Sequence, residues 1–374
     1  MGKTNVVLTI PEPRRTELVE RPYPRIKDGY AIVRTELAPV CLEGTRIWAH
    51  HDFEVLGGPS GQTLDRPDGL GHEGVGVVEE VNPGSRFRPG ERVIVFQGDW
   101  CGRCYACRNG MSPTYCAYNM VARPGCGSIG LRGLQEWNGS ESGGWAMARY
   151  RIAPEAHLYP IPDELPFRYA AAANCSVGAA WSNQELMGVG PGDTVLAAGI
   201  GFITMGHVIS ALHRRATVIA LVRNPYRADL LRRMGVQHLI DPDAGDWLER
   251  VRALTYDGQG VDHAVDGSGV PYYQEKVIQA TRVYGSVNFS GHTPGARLDF
   301  SPLDVVTHYA RRITGQHDVR MRDREGLVRC LLDWNVQRMI DVMVTHELPM
   351  SRAGEAFAIQ VSKHCGKVYL RTWE

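Results

Sequence analysis

The chain lacks a net charge, long apolar runs, internal repeats and low-complexity segments. Its 374 residues include 41 basic and 41 acidic side chains, so the formal net charge is zero. The composition therefore indicates no basic surface for nucleic acid or for an anionic membrane. No apolar run approaches the roughly 18–20 residues that a membrane-spanning helix needs. The sequence thus predicts neither a nucleic-acid partner nor a membrane location.

A signal-peptide pattern is also lacking at the beginning of the chain. The segment MGKTNVVLTIPEPRR has neither a long apolar core nor a small-residue cleavage site, and it predicts a first strand. Nine cysteines in a chain with no export signal favour reduced thiols and metal sites over disulfides. We therefore expect a cytoplasmic protein, long enough to form two domains.

The sequence has two parts with different patterns of apolar and turn residues. Residues 1 to about 160 contain short β-branched runs between glycine and proline turns, which is typical of a β-rich, barrel-like domain. From Asp193 onward, short apolar strands alternate with helical segments, the first of them from Met205 to about Arg214. This alternation predicts an α/β fold with a parallel, doubly wound sheet. The final Lys367-Val-Tyr-Leu-Arg segment predicts a strand that returns to the first domain.

Four cysteines within sixteen residues have the spacing C-x2-C-x2-C-x8-C, and they are Cys101, Cys104, Cys107 and Cys116. Four thiolates from one tight loop can complete a tetrahedral shell around zinc. Such a closed site has no open coordination position, so we expect it to stabilise structure and take no part in chemistry.

A glycine turn follows the first strand of the alternating region. The segment is Gly199-Ile-Gly201-Phe202-Ile203-Thr204, with Thr204 at the place of the third glycine of a dinucleotide fingerprint. The first glycine permits a tight turn, the second lets the backbone approach a pyrophosphate, and the helix N-terminus supplies N–H donors. In this strand–turn–helix context, the segment predicts a nicotinamide nucleotide site.

The end of the second strand bears on the choice of nucleotide. An acidic residue there would bind the ribose 2′-hydroxyl of NAD, but this chain continues Val222-Arg223-Asn224-Pro-Tyr-Arg227. Arg223 and Arg227 are candidates for a 2′-phosphate, although arginines at a helix start can also be merely solvated. The sequence favours NADP, and NAD stays an alternative.

Cys41, His72 and Cys175 lie outside the four-cysteine loop. Two cysteines and one histidine, with a fourth position open, match a catalytic zinc site. Each residue alone has an ordinary structural explanation, because a lone cysteine usually behaves as a small buried hydrophobe. Sequence spacing alone does not indicate that three residues so far apart form one site.

The order of these motifs resembles that of the zinc-dependent medium-chain dehydrogenases, the alcohol and polyol dehydrogenase superfamily. The resemblance includes Gly71-His72-Glu73 and Gly143-Gly-Trp-Ala and covers nearly the whole chain. It implies a GroES-like catalytic domain over residues 1–165 and 320–374, with a structural zinc lobe at about 98–120. It also implies a Rossmann domain over residues 166–319 and assembly as a homodimer or homotetramer.

The same resemblance implies two zinc ions per chain. Cys41, His72 and Cys175 would hold the catalytic ion, Glu73 would be a nearby or alternate ligand, and the four-cysteine loop would hold the structural ion. The implied reaction is hydride transfer between a secondary alcohol or ketone and a nicotinamide cofactor.

Two positions depart from the family pattern. Glu43 stands where the family usually has Ser or Thr, so it is a candidate general base, a neighbour of the zinc, or a surface residue. Thr45, two residues further on, is the alternative proton carrier. Ala179 replaces a threonine that the family often has near the nicotinamide.

Residues 46–53 mix aromatic and polar groups, which favours a polyol, cyclitol or sugar-like substrate over a simple apolar alcohol. Two other functions stay open: a zinc-free reductase of activated double bonds on the same fold, and a non-catalytic relative.

Overall fold

The computed structural model describes residues 2–50, 70–97, 101–117, 146–291 and 297–374. These residues form two compact units. The first comprises residues 1–175, 317–332 and 344–374, and the second comprises residues 176–316 and 333–343.

The first unit is built on a mostly antiparallel sheet. Its strands are β1 (Thr4–Glu12), β2 (Arg15–Pro22), β3 (Tyr30–Pro39), β4 (Gly74–Val81), β5 (Arg92–Val95), β6 (Tyr150–Pro154), β7 (Leu158–Pro160), β14 (Val344–Pro349) and β15 (Lys367–Arg371). The sheet order is β14-β15-β3-β4-β5-β7, with β6 also paired to β3, while β1 and β2 form a separate ribbon. The predicted return of the C-terminal strand is confirmed, since β15 pairs with β3.

Helices cover the ends of this sheet. They are α1 (Leu42–His50), α2 (Tyr105–Arg108), α3 (Phe167–Ala170), α9 (Arg324–Leu332) and α11 (Ala353–Ser362). Apolar side chains of α1 and α11, including Ile47 and Phe357, are fully buried together with Leu370 of β15. This core fixes α1, which begins directly after Cys41, against the sheet.

The second unit contains the predicted parallel sheet. Its strands are β8 (Thr194–Ala198), β9 (Thr217–Leu221), β10 (His238–Ile240), β11 (Val261–Asp266), β12 (Thr281–Phe289) and β13 (Arg312–Thr314). Their order is β10-β9-β8-β11-β12-β13, and every neighbouring pair is parallel. Numbered within the sheet, this order is 3-2-1-4-5-6, the order of a Rossmann fold.

Six α-helices of the described residues belong to this unit: α4 precedes β8, four lie between strands, and α10 comes after the last strand. They are α4 (Val177–Met187), α5 (Phe202–His213), α6 (Pro225–Met234), α7 (Trp247–Ala253), α8 (Pro271–Ala280) and α10 (Trp334–Met343). Helix α6 shows why its ends fall where they do. The Asn224 side chain accepts a hydrogen bond from the Arg227 backbone, Pro225 occupies the first turn, and Gly235 ends the helix with φ of +108°.

The division between the units differs from the predicted boundaries at 165/166 and 319/320. Residues 166–175 belong to the first unit, and α10 belongs to the second. Helix α10 buries Val336, Ile340 and Met343 and contacts α5 and α6, so its apolar face is completed by the second unit. Helix α5 also begins at Phe202, three residues before the predicted start.

Among the helices of the described residues, none combines the length and the apolar content that crossing a bilayer requires.

Candidate catalytic and nucleotide sites

Four thiol groups lie together in the loop that contains α2. The sulfur atoms of Cys101, Cys104, Cys107 and Cys116 all lie within 4.8 Å of one another. Those of Cys101 and Cys107 are 3.9 Å apart. Zinc–sulfur bonds of about 2.3 Å in a tetrahedron would place the sulfur atoms about 3.8 Å apart, so the geometry fits zinc.

Backbone donors favour the ionised form of Cys104, whereas burial and the hydrogen bond with Cys104 raise the pKa of Cys107. Burial alone would raise the pKa of Cys104, but N–H groups of Ala117 and Cys107 point at its sulfur and bring the pKa down to about 6. Because zinc binds the thiolate form of cysteine, this loop is prepared for a metal ion.

A second cluster joins distant segments of the first unit. Cys41, His72, Glu73 and Cys175 each contribute one donor atom, and these atoms lie within 4.8 Å of one another. Cys41 follows the end of β3, and His72 and Glu73 precede β4, its antiparallel neighbour. Strand pairing therefore brings Cys41 to His72 and Glu73, while Cys175 follows the helical turn at Ala171–Ala173.

The donors of this second cluster are buried or partly buried, with Cys41 and Cys175 the partly buried ones. His72 is 6 % exposed and Glu73 is fully buried. The hydrogen bond from Cys175 and the nearby His72 hold the pKa of Cys41 well below its usual range, despite burial. The same hydrogen bond and burial raise the pKa of Cys175. Two sulfurs and an imidazole at this separation fit zinc with an open position, and Glu73 is a further oxygen donor.

Glu43 lies against the histidine of this cluster. Its Oε2 is 2.9 Å from Nδ1 of His72, and its side chain is 16 % exposed. Burial would lower the pKa of His72, but the Glu43 carboxylate and Cys41 raise it. The contact is an ion-pair distance without hydrogen-bond geometry, and a carboxylate on the Nδ1 side leaves Nε2 for a metal, as in carboxylate–histidine–zinc arrangements. The structure thus places Glu43 beside His72, and its role stays a prediction.

Lys367 is a site residue that the sequence reasoning missed. Its Nζ donates to Oε1 of Glu73 at 2.6 Å, and neither side chain has any exposed surface. The same Glu73 oxygen is 3.9 Å from Nε2 of His72. The available signal was a lysine at the start of β15, directly before an apolar Val-Tyr-Leu run, where a buried charge requires a partner.

Thr45 has a structural partner. It is buried on α1, and its hydroxyl donates to Oε1 of Gln360 on α11, with the Cys41 carbonyl 3.3 Å away. The Gln360 amide donates in turn to the Val40 carbonyl at 2.9 Å. These contacts join α1 to α11 and tie the Thr45 hydroxyl to this connection, so they give no support to its predicted role as a proton carrier.

In the second unit, the glycine turn between β8 and α5 has the form expected at a dinucleotide site. Gly199 has φ of +73°, and a Cβ atom there would lie 2.4 Å from the backbone nitrogen of Ser268. Gly201 caps α5, and a Cβ there would meet nothing within 4 Å among the described residues. Phe202 and Ile203 form the first turn of α5. The N-terminus of α5 and the open space at Gly201 fit a pyrophosphate.

Thr204 replaces the third glycine without opening the turn. Its hydroxyl donates to the Gly199 carbonyl at 2.8 Å. Close packing is supplied two residues later by Gly206, where a Cβ would lie 2.4 Å from the Ser176 carbonyl oxygen at the start of α4. The glycine that permits close helix packing therefore stands two positions later than in the usual dinucleotide fingerprint.

The two candidate arginines occupy different positions. Arg227 donates from Nη1 to the Ile200 carbonyl at 2.7 Å, inside the glycine turn. Arg223 lies beyond β9 with its side chain 62 % exposed, 3.6 Å from Asp243. Val222 is buried, and its N–H donates to the Ile240 carbonyl. Arg223 is therefore better placed for a ligand outside the turn, and Arg227 supports the turn itself.

Two sequence features lie outside the described residues. These are Gly143-Gly-Trp145 and residues 51–53 of the segment that favoured a hydroxyl-rich substrate. The ends of the predicted zinc lobe, residues 98–100 and 118–120, lie outside them as well.

Comparison with known proteins identifies the family of this chain. Residues 27–163 match the alcohol dehydrogenase GroES-like domain, and residues 200–331 match the zinc-binding dehydrogenase domain. This chain belongs to the medium-chain dehydrogenase/reductase superfamily. The predicted fold class, a GroES-like barrel with a Rossmann domain, is confirmed.

Individual medium-chain relatives match over nearly their whole length. A zinc-type alcohol dehydrogenase-like protein of Escherichia coli K12 is 26 % identical over 98 % of this chain and 99 % of its own. The L-threonine 3-dehydrogenase of Pyrococcus furiosus is 27 % identical over 94 % of both chains. A zinc-binding dehydrogenase of Sinorhizobium meliloti 1021, solved with NADP, has a TM-score of 0.80 at 21 % identity, covering 99 % and 100 %. The superfamily is an oxidoreductase family that uses zinc and a nicotinamide cofactor.

Proposed function

We propose that this protein is a zinc-dependent, NAD(P)-linked dehydrogenase of polar secondary alcohols, such as polyols, cyclitols or sugar-like compounds. The observation that carries the proposal is the convergence of Cys41, His72 and Cys175 with Glu73 within 4.8 Å. The chemistry of zinc bound there would be Lewis-acid activation of an alcohol or carbonyl group. Nicotinamide on the second unit would supply the hydride acceptor.

The chain's own residues prepare this chemistry. Cys41, His72 and Cys175 are the proposed ligands of the catalytic ion, and Glu43 lies beside the imidazole on its Nδ1 side. Lys367 neutralises Glu73, which keeps a carboxylate close to the ligands without an unpaired buried charge. The Thr45 hydroxyl donates its hydrogen bond to Gln360, whereas the Glu43 carboxylate is partly exposed to solvent. Glu43 is therefore the proposed group through which a substrate proton leaves the site.

We propose NADP as the preferred nucleotide. No carboxylate stands between β9 and Asn224, and Arg223 is exposed at that strand end. Arg223→Glu should raise the KM for NADP by about tenfold or more, because it replaces an attractive charge beside a phosphate with a repulsive one. The KM for NAD should change much less. An equal effect on both cofactors would contradict this preference.

A homodimer or homotetramer remains the proposed assembly. Strand β13 lies at one end of the parallel sheet, and an edge strand can pair with a second copy. Light scattering coupled to size exclusion tests this directly, and a monomer at micromolar concentration would contradict it. The cytoplasmic location stays a prediction.

Initial rates with a panel of alcohols test the proposed activity. The zinc-loaded protein should oxidise polyols, cyclitols or other vicinal diols with higher kcat/KM than monohydric alcohols of the same chain length. Reduction of activated double bonds, with no oxidation of any alcohol, would replace the proposed function with that of a double-bond reductase.

A further inference from the structure

A small pocket in the first unit opens beside two of the proposed ligands. His72 and Cys175 form one side of it, and its volume is about 10 Å³. The other lining residues are Phe96, Gln97, Asn174, Asp318 and Val319. Among the described residues that line it, Asp318 and the proposed ligands carry its ionisable groups. Asp318 lies outside the four-residue donor cluster found among the described residues.

The backbone at Asp318 has an uncommon conformation. Its φ is +57°, in the left-handed region, which aspartate and asparagine tolerate better than other residues with side chains. The neighbouring Val319 is only 2 % exposed. A residue in this conformation persists when its surroundings hold it, and such positions are frequent at ligand sites.

The four-cysteine lobe supplies the contacts that hold this segment. The Thr114 hydroxyl donates to Oδ2 of Asp318. The adjacent Tyr115 hydroxyl accepts a hydrogen bond from the His317 backbone at 2.8 Å. Both residues lie directly before Cys116, so the proposed structural zinc and the pocket wall share one short stretch of chain. A further backbone bond, from Arg322 to the Gly110 carbonyl at 3.0 Å, fixes the far end of the segment.

We propose that Asp318 is a specificity-determining residue, which accepts a hydrogen bond from a second hydroxyl group next to the reacting carbinol. The inference rests on the proposed dehydrogenase function and narrows its substrate class to vicinal diols and polyols. A carboxylate can accept about four hydrogen bonds, and the Thr114 hydroxyl orients the Asp318 carboxylate through Oδ2. A site that binds a substrate hydroxyl discriminates strongly against the analogue without it.

Asp318→Asn is the informative substitution, because asparagine keeps the shape and tolerates the left-handed backbone while the charge is lost. Thr114→Val removes the orienting hydroxyl at nearly constant volume. Asp163→Asn, at an exposed carboxylate of the same unit, is the matched control. Zinc content and the thermal midpoint of each variant show whether it folds and is loaded like the parent.

The measured quantity is the ratio of kcat/KM for 2,3-butanediol to kcat/KM for 2-butanol. Asp318→Asn should lower this ratio by about tenfold, chiefly through the KM of the diol, since a hydrogen bond to a charged acceptor is replaced by a neutral one. Thr114→Val should lower it by a smaller factor, about threefold, and Asp163→Asn should leave it within the error of the parent. An unchanged ratio in Asp318→Asn would overturn the proposal.

Calorimetric titration of the zinc-loaded protein with the diol separates this inference from the proposed function. Should the parent oxidise no alcohol, the proposed function fails, and the inference is then decided by affinity alone. A diol affinity about tenfold weaker in Asp318→Asn supports it, and equal affinity in parent and variant refutes it.

Discussion

At the scale of single residues, the pair formed by Glu73 and Lys367 is the most constrained charge contact of the candidate site. The two groups are separated by 294 positions in the sequence and have no exposed surface. Burial raises the pKa of Glu73, and Lys367 opposes that rise, so each charge is tolerated because of the other. A lone lysine in a strand pattern does not reveal this partner, which is why the sequence did not predict it.

Lys367→Met should destabilise the protein by about 3–5 kcal/mol, because it leaves an unpaired buried carboxylate. The double variant Glu73→Gln with Lys367→Met should recover much of that loss, since no charge is then buried. Urea unfolding of the parent, both single variants and the double variant measures the coupling. Additive effects would show that the pair is not coupled.

His207 on α5 provides a second prediction at this scale. It is fully buried, its Nε2 lies 3.1 Å from the Ser290 hydroxyl, and burial lowers its pKa to about 3. In the unfolded chain the pKa is about 6.5. The folded state thus keeps the imidazole neutral. The neutral, buried His207 contributes its full share of the unfolding free energy above pH 6.5, and this share is lost as the pH falls towards 3.

His207→Gln should remove this dependence while retaining a donor for Ser290. Between pH 7 and pH 5, the parent should lose about 2 kcal/mol more unfolding free energy than the variant. Urea midpoints at the two pH values give this difference. Parallel losses in the two proteins would show that His207 does not titrate on unfolding.

At the scale of elements, the glycine that caps α5 and a glycine within α5 are needed for different reasons. Gly206 packs against the Ser176 carbonyl, where a Cβ would be 2.4 Å away, while a Cβ at Gly201 would meet nothing within 4 Å. The sequence showed both glycines, but only the packing of α5 on α4 distinguishes a structural glycine from one that leaves room for a ligand.

Gly206→Ala should therefore cost about 1–3 kcal/mol of stability, because the two helices must move apart. Gly201→Ala should leave the thermal midpoint nearly unchanged and weaken nicotinamide nucleotide binding by about tenfold or more, because its methyl group occupies the pyrophosphate approach. Thermal unfolding and fluorescence titration with the reduced cofactor distinguish the two effects. The reverse pattern would contradict the assignment of this turn.

The elements themselves were largely predictable, because strand and helix periods are local properties. The alternation after Asp193 predicted the parallel sheet, and turn residues predicted the barrel strands. Helix α10 lies in the second unit, whereas the predicted domain bounds group its residues with the C-terminal segment, because sequence order does not show which neighbour covers a helix. The start of α5 was placed late because Gly201, Phe202 and Ile203 are not strong helix formers.

At the scale of the whole molecule, the two metal clusters differ in how far the sequence could predict them. Cys101, Cys104 and Cys107 are brought together by one turn of chain, so their spacing alone predicted a site. Cys41, His72 and Cys175 are joined by the pairing of β3 with β4 and by the turn before α4, and only the family resemblance pointed to their meeting. Glu43 was recognised by its motif position, but its contact with Nδ1 of His72 required the fold.

The central claim is that the cluster of Cys41, His72 and Cys175 holds the zinc ion on which alcohol oxidation depends. Zinc content per chain, measured on Cys175→Ser together with its alcohol-dependent NAD(P) reduction, tests this claim most directly. The account predicts two zinc ions in the parent, one in the variant, and loss of turnover in the variant while the four-cysteine loop keeps its ion. Two tightly bound ions and undiminished turnover in Cys175→Ser would contradict it.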